Sequence, residues 1–325
     1  QSKCLLLFNS WLTIQREDRH DSTLMLYMTN LILCVVWWAA VLRTSWGDRF
    51  QRIVHGYEAP WGKYRWIVSI QYPNTYGVLT HICGGSLITR QWVLSSSHCL
   101  RERMQDKLVI IVGAHNIKTQ GSPHGVIETV RHSSFNQRYE HDVCLLKLSN
   151  IVTLHRHDES VYQDVISLPT NPNTDILECS VSGWGRVGRE GRRSNILLEV
   201  SVKKSPDSDC TKVIQRVSNL PITNFICYGG HGDTCQGDSG TPVTCYKNGV
   251  PFAIALSSFG FGCGDGIPGV YTLIHPYTAW ILETIQRSFQ NDVMESRNRT
   301  RTKSEDMGMT VLVDIDAVTM PLVLP

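Results

Sequence analysis

A chain of 325 residues with 42% hydrophobic content is long enough to bury a full core and leave tails over. Its net charge of +2 gives no footprint for nucleic acid or for a strongly charged membrane patch. Eleven cysteines point to an oxidising compartment, hence secretion or the cell surface, rather than the cytosol.

Residues 1–52 read as a targeting segment followed by a short pro-segment. Leu31 to Leu42 is an unbroken run of twelve apolar residues, which suits the core of a cleaved signal peptide. Carried back to Leu24 across Thr29 and Asn30, the same run suits a marginal membrane anchor. The flank does not choose, because Arg16-Glu17-Asp18-Arg19 carries both signs. A cleaved signal is the preferred reading. Arg52 then stands immediately before Ile53-Val54-His55-Gly56.

From Trp66 the pattern is that of strands. Trp66, Val68, Ile70 and Tyr72 alternate with other residues, Leu108 to Val112 is a short apolar run ended by Gly113, and short strands punctuated by Gly, Asn and Pro continue to Val270-Tyr271-Thr272. One helical face is expected near the end, from Tyr277, Trp280, Ile281 and Ile285. The fold class is therefore all-β with one terminal helix.

Three segments carry chemistry. Ser239 lies in Asp233-Thr234-Cys235-Gln236-Gly237-Asp238-Ser239-Gly240, a serine between glycines on a loop that would present one hydroxyl. A free serine hydroxyl is a weak nucleophile and needs a base. Among twelve histidines, His98 in Trp92-Val93-Leu94-Ser95-Ser96-Ser97-His98-Cys99 is singled out by its flanks. Asp142, in Asp142-Val143-Cys144-Leu145-Leu146, would orient that base, and His, Asp, Ser is one of the chain orders in which such a triad occurs. His141 reads as structural, since its side chain alternates away from Asp142.

These motifs, in register with the Ile-Val-His-Gly start, resemble the trypsin-like serine proteases of the chymotrypsin-fold family over residues 53–289. The resemblance implies two antiparallel six-stranded β-barrels with the active site between them. It implies a peptide-cleaving reaction: Ser239 attacks, His98 moves the proton, Asp142 holds the imidazole, and the N–H groups of Gly237 and Ser239 form an oxyanion hole. It places Asp233 at the floor of the primary pocket, Gly260 and Gly269 on its walls, and Ser258 beside Asp142 in the substrate cleft. Substrates would be proteins or peptides with Arg or Lys at the cleaved bond, with protein protease inhibitors as further partners and no cofactor. Activation would follow cleavage after Arg52, the new ammonium of Ile53 pairing with Asp238.

The resemblance also pairs Cys83 with Cys99, Cys179 with Cys245, Cys210 with Cys227, and Cys235 with Cys263. Cys144 is left as a small buried hydrophobe. The departures are Ser96 and Ser97 where two alanines are usual, and Phe259 where tryptophan is usual. Thr241 stands where glycine is usual, and it is strained if that backbone needs positive φ. Ala114 stands where a calcium-binding carboxylate would be, so no metal is expected in that loop. Residues 290–325 read as a disordered tail bearing a glycosylation sequon at Asn298. The competing function is a catalytically weak or inactive homologue that acts as a binding protein.

Overall fold

The computed structural model describes residues 56–100, 107–154, 163–170, 178–188, 191–217, 224–229, 236–262 and 266–307. The expected leader, the expected activation site at Arg52 and Ile53, the expected pocket residue Asp233, the expected Cys235–Cys263 pair and residues 308–325 lie outside them. Among the described residues, no helix is long and apolar enough to cross a membrane.

Six strands close the first barrel: β2 (Ile67–Pro73), β3 (Leu79–Leu87), β4 (Trp92–Ser95), β5 (Val109–Val112), β6 (Ser122–Arg131) and β7 (Cys144–Leu148), in the order β2-β3-β4-β7-β6-β5. The closing seam is β2 on β5, with Val68 opposite Val112 and Ile70 opposite Ile110. Alternation decides what each strand buries. Val68, Ile70, Val93, Ile110, Val112, Leu146 and Leu148 fill the barrel interior. Their neighbours Trp92, Leu94, Ile111 and Leu145 face outward into a second apolar layer with Trp184, Leu256, Ile281 and Ile285. Trp66 precedes β2 and packs into that outer layer, apart from Val68 and Ile70.

The second barrel contains β8 (Cys179–Gly183), β9 (Leu198–Lys204), β10 (Phe225–Gly229), β11 (Pro242–Lys247), β12 (Val250–Phe259) and β13 (Gly269–Leu273). Its order is β9-β10-β13-β12-β11-β8, and β8 pairs back onto β9 to close it. The short β1 (Tyr57–Glu58) adds to β9. Val181, Val200, Val202, Val243, Ala255 and Tyr271 fill this interior.

Helix α1 (Asp207–Ile214) was not foreseen from periodicity, and the Cys210–Cys227 disulfide fastens it to β10. Cys179–Cys245 joins β8 to β11, and Cys83–Cys99 joins β3 to the turn after β4. The terminal helix α2 spans Thr278–Met307, so residues 290–307 continue a helix and are not the disordered tail expected of them. Ile281, Ile285 and Ser288 are its buried stripe, at helical spacing. Beyond them, the buried Lys147 of β7 binds Ser288 Oγ at 2.9 Å and Asp292 at 2.6 Å, which holds the helix to the first barrel past its apolar turns.

Candidate active site

The pairing of β4 with β7 sets Ser95 opposite Cys144 and brings two strand ends together. A single 3-10 turn, Ser97–Cys99, follows the end of β4, and Asp142 precedes the start of β7. His98 and Asp142 thereby meet. Asp142 is fully buried and accepts three hydrogen bonds: from the His98 backbone N–H at 2.9 Å, from His98 Nδ1 at 2.7 Å and from Ser258 Oγ at 2.5 Å. A carboxylate oxygen only accepts here, so the bond to Nδ1 is made by Nδ1–H, and Nε2 is left on the opposite edge of the ring.

Ser96 and Ser97 are fully buried, and both hydroxyls have partners. Ser97 Oγ donates to the Val143 carbonyl at 2.7 Å, beside Asp142. Ser96 Oγ donates to the Ser257 carbonyl at 3.0 Å, beside Ser258. One hydroxyl thus ties the His98 turn to the Asp142 segment, and the other ties it to the second barrel.

Ser239 lies between β10 and β11 on a segment bonded to both barrels. Its carbonyl accepts from Gly84 N–H of β3 at 2.9 Å, and Gly240 N–H donates to the Ser257 carbonyl of β12 at 2.7 Å. Gly237 has φ +104° and Gly240 φ +80°; a Cβ on Gly240 would stand 2.1 Å from Ser95 Oγ, so no other residue fits there. Thr241 does not have positive φ, and the expected strain is absent. Its N–H and Oγ1 both donate to the Asp238 carbonyl, at 3.1 and 2.6 Å. Its Cγ2 fills the space beside Gly84, where a Cβ would come within 2.1 Å of it. A threonine therefore works here because β3 carries glycine opposite.

His98 and Ser239 converge on the Cys83–Cys99 bridge: Cys99 Sγ lies 4.0 Å from His98 Nε2 and 3.8 Å from the Ser239 carbonyl. The sulfurs are spent in that bridge, so these residues do not form a metal site. Among the described contacts no hydrogen bond joins Ser239 Oγ to His98; such bonds are often long until substrate is present. Among the described residues, neither Gly237 N–H nor Ser239 N–H is given to a backbone acceptor.

Several residues of the site carry no motif of their own. His81 is buried, its Nε2 2.8 Å from the Gly237 carbonyl and its Nδ1 2.8 Å from Ser69 Oγ; burial pushes its pKa down to about 4, so it is neutral and donates from Nε2. Asp238, which does belong to the serine motif, is buried and accepts from Gly185 N–H at 2.8 Å, a glycine no motif singled out. A Cβ on Gly183 or Gly185 would fall 2.2 or 2.4 Å from that carboxyl group, so both glycines are there to admit it. Tyr139, at φ +61°, sets its ring 5.3 Å from that of His98 and 5.1 Å from Phe259. The clues were faint: glycines flanking Trp184 and a histidine two residues before Cys83. Gly260 and Gly269 face each other, since a Cβ on Gly260 would lie 3.8 Å from Gly269 Cα and meet nothing closer.

His132 and His141 stack at 4.8 Å behind Asp142, with Tyr277 Oη 3.2 Å from His141 Nδ1. Burial and the charge of His141 lower the His132 pKa, while burial and the Asp142 carboxylate raise that of Tyr277 to about 12.

A family model described as Trypsin matches residues 53–281. The chain is 35% identical over 229 residues to Cationic trypsin-3 of Rattus norvegicus, an alignment covering 67% of this chain and 85% of that protein. It is 32% identical over 253 residues to Serine proteinase stubble of Drosophila melanogaster, covering 72% of this chain and 31% of the relative, so it spans about a third of that protein's length.

Proposed function

Because the chain belongs to the trypsin family of serine proteases, we propose that it is an endopeptidase that uses Ser239, His98 and Asp142 as a triad and cuts after Arg or Lys. The observation that carries the reading is the buried Asp142 carboxylate gripping His98 Nδ1 while Ser258 and the His98 backbone N–H complete its shell. With Nδ1–H committed, Nε2 takes the Ser239 proton as Oγ attacks the peptide carbonyl. The oxyanion collects the N–H groups of Gly237 and Ser239, and His98 then protonates the leaving amine. Water repeats the sequence on the acyl-enzyme.

Specificity rests on Asp233. It sits six residues before the nucleophile, and the facing glycines 260 and 269 leave room for a long side chain. A carboxylate at the end of such a slot takes a guanidinium or ammonium. The chain is made as a zymogen, cleaved after Arg52 so that the Ile53 ammonium pairs with Asp238, and it is secreted with glycan at Asn298, which is exposed on α2. In the chain cleaved after Arg52, peptides with Arg or Lys at the cut should be hydrolysed and Leu or Glu counterparts should not. Asp233→Ser should remove that preference while Ser239 still reacts with a fluorophosphonate. Equal activity of full-length Arg52→Gln and the cleaved chain would refute the zymogen.

A further inference from the structure

A cavity of about 610 Å3 opens beside the Gly237 loop, where His81 and Arg193 reach that loop. The β2–β3 hairpin, the 117–121 loop and the 193–195 segment form its walls, which include Gln71, Thr80, His81, Lys118, Gln120 and Arg193. Among the described lining residues there are two permanent cations and no carboxylate. The cavity is continuous with the catalytic loop: His81 holds the Gly237 carbonyl, and Arg193 Nε lies 3.4 Å from where a Cβ on Gly237 would be.

Arg193 is exposed, and it is aimed by a hydrogen bond from its guanidinium to the His81 carbonyl. Partial desolvation and the neighbouring Arg186 lower its pKa, against a smaller pull from Asp238. An anion arriving at the open face of the guanidinium relieves that repulsion. At the mouth, Val78 and Tyr76 are exposed at the hairpin tip.

The path of a substrate follows from the bonds around Ser239. The Ser239–Gly240 segment is hydrogen-bonded to β12 on one side and β3 on the other. On the protease reading the acyl half lies along β12 and the Gly260 slot, which puts the leaving half on the β3 side of Ser239, the side whose hairpin walls this cavity. Arg193 Nε stands 3.4 Å from where a Cβ on Gly237 would be, two residues from Ser239, and an extended chain advances about 3.3–3.6 Å per residue, so the second or third residue past the cut is within its reach.

We propose that this cavity is a subsite for the leaving half of the substrate, in which Arg193, assisted by Lys118, selects an aspartate or glutamate within about three residues after the cut. The proposal rests on the protease reading above and adds a substrate class to it: peptides basic before the cut and acidic after it.

The test uses paired fluorogenic peptides with Arg before the cut and either Glu or Lys at the second or third position after it, together with an arginine amide carrying only a chromophore. The chain cleaved after Arg52 should favour Glu over Lys by about tenfold in kcat/KM. That ratio should shrink as salt rises from low to molar, fall towards one in Arg193→Gln and persist in Arg193→Lys. A wild-type ratio near one, or one unmoved by Arg193→Gln, overturns the subsite while hydrolysis of the arginine amide leaves the protease reading standing. If the amide is not cleaved, the protease reading fails, and binding decides the cavity alone. Ser239→Ala should bind the Glu peptide about tenfold more tightly than the Lys peptide, and equal affinity overturns the proposal.

Discussion

At the scale of single residues, the three hydroxyls that depart from the family pattern are bonded parts of the site's frame. Ser96→Ala and Ser97→Ala each remove one buried hydrogen bond from a carbonyl that keeps a backbone donor, Gly240 N–H on Ser257 and His132 N–H on Val143, and each should lower stability by about 1 kcal/mol, read as a denaturant midpoint shift. Their acceptors are separate, Ser257 and Val143, but the two serines are neighbours on one turn, so the losses should couple rather than simply add. Thr241 and Gly84 should couple. Gly84→Ala drives a methyl into Thr241 Cγ2 and should abolish activity, and adding Thr241→Gly should restore much of it. A double variant as dead as the single would show that Gly84 is needed for another reason. The meeting of His98 with Asp142 was legible because the residues flanking each form fixed local strings. Thr241 was misjudged because its tolerance depends on Gly84, on a strand of the other barrel.

At the scale of elements, α2 shows what periodicity can miss. Its apolar stripe ends at Ile285, which is why 290–325 read as a tail. The better signal was negative: no Gly or Pro occurs from Thr278 to Met307, and Gly308 follows. What fixes the extension is Asp292, facing a lysine 145 residues earlier in the chain, and no local pattern reports such a pair. Asp292→Ala removes the closest acid from buried Lys147 and leaves Glu128 at 3.9 Å. Because Asp292 is itself exposed, the loss should be about 1 kcal/mol and a Tm lower by roughly 2–4 °C. A chain ending at residue 289 should lose about as much; no change in either would make the helix extension idle. The strands were legible because alternation places Val68, Ile70, Ile110 and Val112 on one face, and their closure into two barrels came from the family resemblance.

At the scale of the whole molecule, the proposed catalytic residues hang on links between the barrels: Ser96 to Ser257, Ser258 to Asp142, Gly84 to Ser239, and His81 to the Gly237 carbonyl. His81 makes this assembly sensitive to acid. Its folded pKa, about 4, is below its ordinary 6.5, so between those values the unfolded chain takes up a proton that the native chain refuses. Stability contributed by its burial is complete above pH 6.5, falls as pH drops through that window, and levels off near pH 4. His124 and His132, also lowered by burial, act in the same sense. Denaturant melts at pH 7 and 5 should show this loss, and His81→Gln should flatten the slope; a slope unchanged by that substitution would remove His81 from the account. The long-range links were not legible in one sequence, since hydrogen bonds between distant turns leave no spacing to read.

Fluorophosphonate labelling of the chain cleaved after Arg52, with the adduct mapped by mass spectrometry, tests the triad most directly. One adduct should form, on Ser239, lost in Ser239→Ala and slowed by about a hundredfold or more in His98→Ala. An unlabelled Ser239 in the cleaved chain, or labelling as fast without His98 as with it, would contradict it.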